Sequence, residues 1–212
     1  MPHVYPYTDA PRLPEAGELD LSALVPGAGT PVEIEIGPGR GWFLVERLEA
    51  VPDARLVGLE IRRKWATIVD RRLASRGLGT RGRVFAEDAR LVLPRVPSGS
   101  VRAVFIHFPD PWWKKRHQKR RVATGGLLEE VVRVLVPGGE LFLQTDVEER
   151  ASEFETLVES APLLAPAGDG SAGPGARLSE NPYLARSPRE RRAMKDGLPV
   201  VRLRYRRLPA SP

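Results

Sequence analysis

The turn Gly37-Pro38-Gly39-Arg40-Gly41 follows a short β run, Val32–Ile36, and a helical pattern begins at Trp42. A glycine at every second position lets the backbone turn sharply and approach a ligand closely. A strand passing through such a turn into a helix opens a β–α–β unit, whose next strand lies parallel to the first. The rest of the chain repeats this pattern. Residues 55–60 read as a second strand. Ile61, Trp65, Ile68, Val69 and Leu73 share one face of a helix that stops near Gly77. Residues 83–86 form a brief third strand, and 101–107 a fourth that ends before Pro109. Residues 124–136 carry Leu127, Leu128, Val131, Val132 and Leu135 on one helical face, until Pro137-Gly138-Gly139 breaks the pattern. Residues 140–145 are a fifth strand, 148–159 a helix, and 199–206 a terminal strand alternating on Val201, Leu203 and Tyr205. This order predicts an α/β fold, a mostly parallel sheet with helices on both faces. Residues 1–30 are rich in Pro and Gly and are expected to be a flexible arm ahead of a single domain, 31–212, with a basic C-terminal segment. The Gly/Ala-rich stretch 165–176 reads as a flexible insertion.

Composition removes several function classes. The chain has 212 residues and no cysteine, which excludes disulfides, a thiolate metal site and a Cys nucleophile. Its three histidines, His3, His107 and His117, are too scattered for a zinc motif, so no metal is expected. No apolar run approaches membrane-spanning length and the N-terminus lacks a secretory pattern, so no membrane partner and a cytoplasmic location are expected. The formal net charge of +6 hides an uneven distribution. Residues 114–121 alone contain six Lys or Arg and no acid, and residues 186–207 contain nine against Glu190 and Asp196. An acidic body with two basic segments is the footprint of a polyanion partner, because Lys and Arg displace counterions from phosphates. A solvated helix face is the alternative for either segment. Neither segment has the apolar face that a membrane-surface helix needs.

In a parallel α/β sheet, ligands bind at the carboxyl ends of the strands. An acid recurs at that place: Glu35, Glu60, Asp88, Asp110 and Asp146 end or follow the five strands in turn. Acidic Glu35 ahead of the glycine turn is a poor neighbour for a pyrophosphate and suits an amine-bearing ligand. The spacing Gly37, Gly39, Gly41 also differs from the dinucleotide fingerprint. Glu60 stands where a carboxylate can accept both ribose hydroxyls, and Asp88 where an adenine amino group could be held. Taken singly, Glu60 could be a surface acid, Asp88 a helix N-cap and the glycines a tight β–α turn. Taken together they describe an adenosine pocket without phosphates, which fits S-adenosylmethionine. In Phe108-Pro109-Asp110-Pro111-Trp112-Trp113-Lys114, two prolines stiffen the backbone around a carboxylate. Two indoles there offer faces on which a base can stack, worth about 1–3 kcal/mol per base.

At these residues the chain resembles the bacterial tRNA (guanine-N7-)-methyltransferases. The matching features are Glu35-Ile36-Gly37-x-Gly39-x-Gly41, Gly58-Leu59-Glu60, Asp88-Ala89, Phe108-Pro109-Asp110-Pro111-Trp112-x-Lys114, Arg116-His117-x-Lys119-Arg120-Arg121 and Thr145-Asp146. The resemblance implies a Rossmann-like, seven-stranded class I methyltransferase fold. It implies S-adenosylmethionine bound by Glu35, Gly37, Gly39, Gly41, Glu60, Asp88 and Asp110, with Asp110 catalytic. It implies a tRNA substrate contacted by Lys114, Asp146, Ser187 and Glu190, with Lys115, Arg116, Lys119, Arg120 and Arg121 on its phosphates. The family's target is a guanosine in the variable loop. Ser187-Pro188-Arg189-Glu190 departs from the family's Thr-x-Phe/Tyr-Glu in placing Arg189 where an aromatic usually stands. Other readings of the same residues are a class I methyltransferase acting on another RNA or on protein, and a non-catalytic RNA-binding protein of the same fold. Either a monomer or a homodimer is compatible with the sequence.

Overall fold

The computed structural model describes residues 7–28, 31–109, 125–170 and 175–209. Seven strands form one sheet: β1 Val32–Ile36, β2 Leu56–Leu59, β3 Gly82–Phe85, β4 Val101–His107, β5 Leu135–Thr145, β6 Leu164–Pro166 and β7 Val201–Arg207. The order is β3-β2-β1-β4-β5-β7-β6. The pairs among β1 to β5 are parallel, and β7 lies antiparallel between β5 and β6. The helices are α1 Leu21–Leu24, α2 Trp42–Ala50, α3 Arg63–Ser75, α4 Ala89–Val92, α5 Gly125–Val134, α6 Glu148–Glu159 and α7 Pro188–Lys195. The α/β expectation and the seven strands are therefore both met.

Alternation along the strands sends apolar side chains to both faces. On one face Ile34, Ile36, Val104, Ile106, Leu141 and Leu143 pack against Leu128 and Val131 of α5 and Phe154 and Val158 of α6. On the other, Leu44 and Leu48 of α2 meet Val69 and Leu73 of α3 over the β2–β3 side. Beside them Phe43, Phe105, Phe142 and Tyr183 form an aromatic cluster over β4 and β5. Arg102 and Glu33, paired with each other, interrupt this apolar plan.

Four local expectations are corrected. The described part of the N-terminal arm is packed: Leu13, Leu19, Leu21 and Val25 are buried in the main core. The backbone N–H of Ala86 donates to Pro11 O at 2.7 Å, and that of Leu19 to Arg95 O at 2.8 Å. In the helix after β2, Ile61 precedes the first turn and is exposed, and Trp65 is half-buried with Arg40 over its ring at 5.5 Å. Ala66 takes the buried position instead. α5 ends at Val134, and Leu135, expected on its face, already opens β5, which runs on through Pro137-Gly138-Gly139: β4 pairs at Leu135 and, after a register shift, resumes with Ala103 opposite Glu140. The expected insertion at 165–176 contributes β6 and the buried Ala176, while residues 171–174 lie outside the described set. Sequence alternation alone could not find a three-residue edge strand.

At Gly41, φ is +68° and an added Cβ would stand 2.2 Å from Val69 Cγ1. Two constraints meet there, a left-handed backbone and the seat of α3. Gly77, after α3, has φ +71° with open space around it. Gly41→Ala is therefore expected to cost about 2–4 kcal/mol of unfolding free energy, and Gly77→Ala only about 1 kcal/mol. Denaturant unfolding of both variants measures the difference, and equal losses would remove the packing constraint on Gly41.

Candidate functional site

The chain steps from β1 outward to β2 and β3 on one side and returns to β4 and β5 on the other, so β1 and β4 flank the switch in strand order. Crevices at such a switch, above the carboxyl ends, are the binding places of this architecture. The acids expected at strand ends lie along this edge wherever they are described. Gly37, Gly39 and Gly41 have φ of +69°, +54° and +68°, a conformation costly for any other residue.

Glu60 follows β2 and is buried. It fastens the glycine turn: its Oε2 accepts from Gly39 N–H at 2.9 Å, and its Oε1 from Arg62 N–H at 2.9 Å and Arg62 Nε at 3.0 Å. The Arg62 side chain is itself more than half exposed. Asp88 caps α4, accepting from Arg90 N–H at 2.9 Å and pairing with the Arg90 guanidinium. The Arg90 hydrogen bond is the main reason the Asp88 carboxyl titrates below its ordinary range. The capping alternative for Asp88 is thus realised in the fold, alongside its place at the edge.

Glu35 sits one residue inside β1 rather than after it, and is 2% exposed. Its Oε1 meets His107 Nδ1 at 2.9 Å, and its Oε2 makes no hydrogen bond. His107 was not singled out from the sequence for any role. The signal was there, since His107 shares a strand face with Phe105 and ends the strand beside the Phe108-Pro109-Asp110 run. Phe108 has φ +45°, unusual for a bulky residue, and its N–H donates to Gln144 O at 2.7 Å. The chain therefore leaves β4 through a strained residue pinned to β5. Asp110, Lys114, Lys115, Arg116, Lys119, Arg120 and Arg121 lie outside the described residues.

The structure brings Asp146 and the 187–190 segment together. Arg189 Nη2 pairs with Asp146 Oδ2. Ser187 caps α7, accepting from Glu190 N–H at 3.1 Å, and Pro188 occupies the first turn. Glu190, expected to face the substrate, is fully buried. Its Oε1 accepts from Arg202 Nη2 at 3.0 Å and its Oε2 from Asn181 Nδ2 at 2.9 Å. The Ser-x-x-Glu spacing is itself a helix-start signal, and read that way it would have found α7.

Among the described residues no group of three or more His, Cys, Asp or Glu could hold a metal ion, and no helix is long and apolar enough to cross a membrane. At this edge Glu35 Oε2 is buried without a hydrogen bond, and a Cβ added at Gly37 would meet nothing within 4 Å.

Glu190→Gln leaves Arg202 buried without a full charge partner and is expected to cost about 3–5 kcal/mol. Ser187→Ala, which loses only the cap, is expected to cost about 1 kcal/mol. Thermal and denaturant unfolding test the ranking. A near-neutral Glu190→Gln would deny it the anchoring role.

Comparison with known proteins agrees with this architecture. A family model described as "Putative methyltransferase" matches residues 29–196. A tRNA (guanine-N(7)-)-methyltransferase of Anaeromyxobacter dehalogenans is 40% identical over 178 residues, covering 84% of this chain and 86% of that protein. The Myxococcus xanthus protein of the same name is 36% identical, covering 84% of each chain. That of Trichormus variabilis is 30% identical over 97% of this chain and 94% of its own. Among solved structures, the 16S rRNA methyltransferase KamB superposes with a TM-score of 0.60 at 16% identity, covering 89% of this chain and 93% of that one. At that identity the likeness concerns the fold. The sequence matches over nearly the whole chain place it more narrowly, and the chain belongs to the tRNA (guanine-N(7)-)-methyltransferase family.

Proposed function

We propose that this chain transfers the methyl group of S-adenosylmethionine to N7 of a guanosine in the variable loop of tRNA. The observation that carries the reading is the match to curated relatives of that name over most of both chains. The acid-tipped parallel strands and the glycine turn support it. S-adenosylmethionine supplies a methyl group made electrophilic by a sulfonium. Gly37, Gly39 and Gly41 give its amino-acid end close backbone approach, Glu35 accepts from its ammonium, Glu60 takes the ribose hydroxyls and Asp88 the adenine amino group. Glu60 reaches the diol once the exposed Arg62 guanidinium moves off it.

Guanine N7 carries a lone pair and needs no deprotonation. The N7–CH3 bond forms as the S–CH3 bond breaks, and the sulfur keeps the electron pair. The protein's task is to place the two reactants in line and exclude water. The base becomes cationic, so a carboxylate beside it stabilises the developing charge. Asp110 is assigned that catalytic place, and Asp146 the substrate. Ser187 and Glu190 act through the fold, since they hold α7 where Arg189 reaches Asp146. Lys114, Lys115, Arg116, Lys119, Arg120 and Arg121 grip the substrate and its phosphates. Extrusion of the target base costs a few kcal/mol of unstacking, which these contacts offset.

Purified protein incubated with labelled S-adenosylmethionine and unmodified tRNA is expected to yield 7-methylguanosine on nucleoside analysis. Label in another nucleoside, or none, would overturn the assignment. Asp110→Ala is expected to abolish transfer while leaving tRNA affinity within about threefold. Replacing Lys119, Arg120 and Arg121 together by Ala should reduce the slope of log affinity against log salt by about 2–3. An unchanged slope would reject the phosphate grip.

A further inference from the structure

The sheet face that carries Glu35 ends in a row of buried polar side chains. Glu35 on β1, His107 on β4 and Gln144 on β5 lie across adjacent parallel strands, with His107 and Gln144 in register. All three side chains are nearly or fully inaccessible. Yet Glu35 Oε2, His107 Nε2 and both amide atoms of Gln144 make no hydrogen bond. Buried polar atoms are rarely left so, and a concentration of them calls for a partner. The imidazole is held in one orientation by rings on three sides. Phe43 lies 4.2 Å from it, Phe142 5.8 Å and Phe105 6.0 Å, centroid to centroid. With the proton on Nδ1, His107 donates to Glu35 Oε1 across the 2.9 Å contact.

We infer that His107 is a positioning residue for cofactor binding: it fixes one oxygen of Glu35 and thereby presents the other to the ammonium group of the cofactor's amino-acid end. The inference rests on the cofactor reading of Glu35 given above. A carboxylate on a strand can swing about its side-chain bonds. Tying Oε1 to a clamped imidazole restrains that swing and leaves Oε2 as the oxygen without a hydrogen bond. Binding then does not have to order the carboxylate, which preserves affinity. The effect of His107 is confined to ligands that carry the ammonium.

The test uses calorimetric binding of S-adenosylhomocysteine, which keeps the amino-acid end, and of methylthioadenosine, which lacks it. His107→Phe keeps a ring in the aromatic clamp and removes the donor. It is expected to weaken S-adenosylhomocysteine by about tenfold or more and methylthioadenosine by less than about threefold. His107→Asn returns an N–H near the Nδ1 position and is expected to restore S-adenosylhomocysteine to within about threefold of the unaltered chain. Equal weakening of both ligands would mean a packing role, and unchanged binding in His107→Phe would mean no role; either overturns the inference. Should His107→Phe not fold, His107→Ala provides the donor-free comparison. If the unaltered chain binds neither ligand, the cofactor reading itself fails, a result distinct from any pattern among the variants.

Discussion

Two carboxylates are buried in β1, an interior strand of the sheet. In β1, Val-Glu-Ile-Glu-Ile, all five residues are buried, because helices cover both faces of the sheet. Burying an ionised carboxylate without partners is prohibitive, so Glu33 and Glu35 each require one. Glu33 receives Arg47 of α2 through two bonds, at 2.8 and 3.1 Å, and Arg102 of β4 on the same oxygen as the shorter of them. Arg47 also donates to Tyr183 O at 3.1 Å. One carboxylate thus joins β1, α2, β4 and the segment before α7. Burial would lower the Arg47 pKa, but the hydrogen bond and charge of Glu33 outweigh it and the guanidinium titrates above its ordinary range. Such a network is costly to break at one member, and its worth lies in fixing one arrangement of elements.

The same device recurs at α7. Glu190 on α7 is buried against Arg202 of β7 and Asn181. That pairing seats a short, strongly charged helix whose burial alone would not hold it. Only Glu190 and Ala193 of α7 are buried. The helix then presents Arg189 to Asp146 and Arg191 to Glu46 of α2. The four residues expected from the sequence to meet the substrate, 187–190, hold the structural anchor of α7 in the fold. Their influence on the edge passes through Arg189 and Asp146, because Glu190 itself has no exposed atom.

The parts legible in the sequence were those with a repeating local signal. The glycine turn after β1 and the bounds of α6 follow from spacing and from residues that end elements. Among the described residues, the acids at the ends of β1, β2, β3 and β5 fall on one edge because parallel strands all point the same way. Other parts carried no such signal. The N-terminal arm has its leucines scattered between prolines, yet Leu13, Leu19 and Leu21 fill the core. β6 exists because β7 offers it a ladder, and α7 is polar over most of its surface.

What the sequence by itself determined was the alternating α/β order, the single sheet edge with its acids, and the concentration of positive charge at 114–121 and 186–207. Those depend on neighbours within a turn or a strand, where periodicity and glycine or proline decide the conformation. What only the tertiary structure decided was which group neutralises which buried charge. Glu33 and Arg102 are 69 residues apart, Glu35 and His107 72, and Arg191 and Glu46 145. A buried carboxylate needs a donor within hydrogen-bond reach, but it is the packing of the sheet and helices that selects the donor. Hence Glu35 could be read from the sequence as a ligand for an amine, while the imidazole that holds it could not.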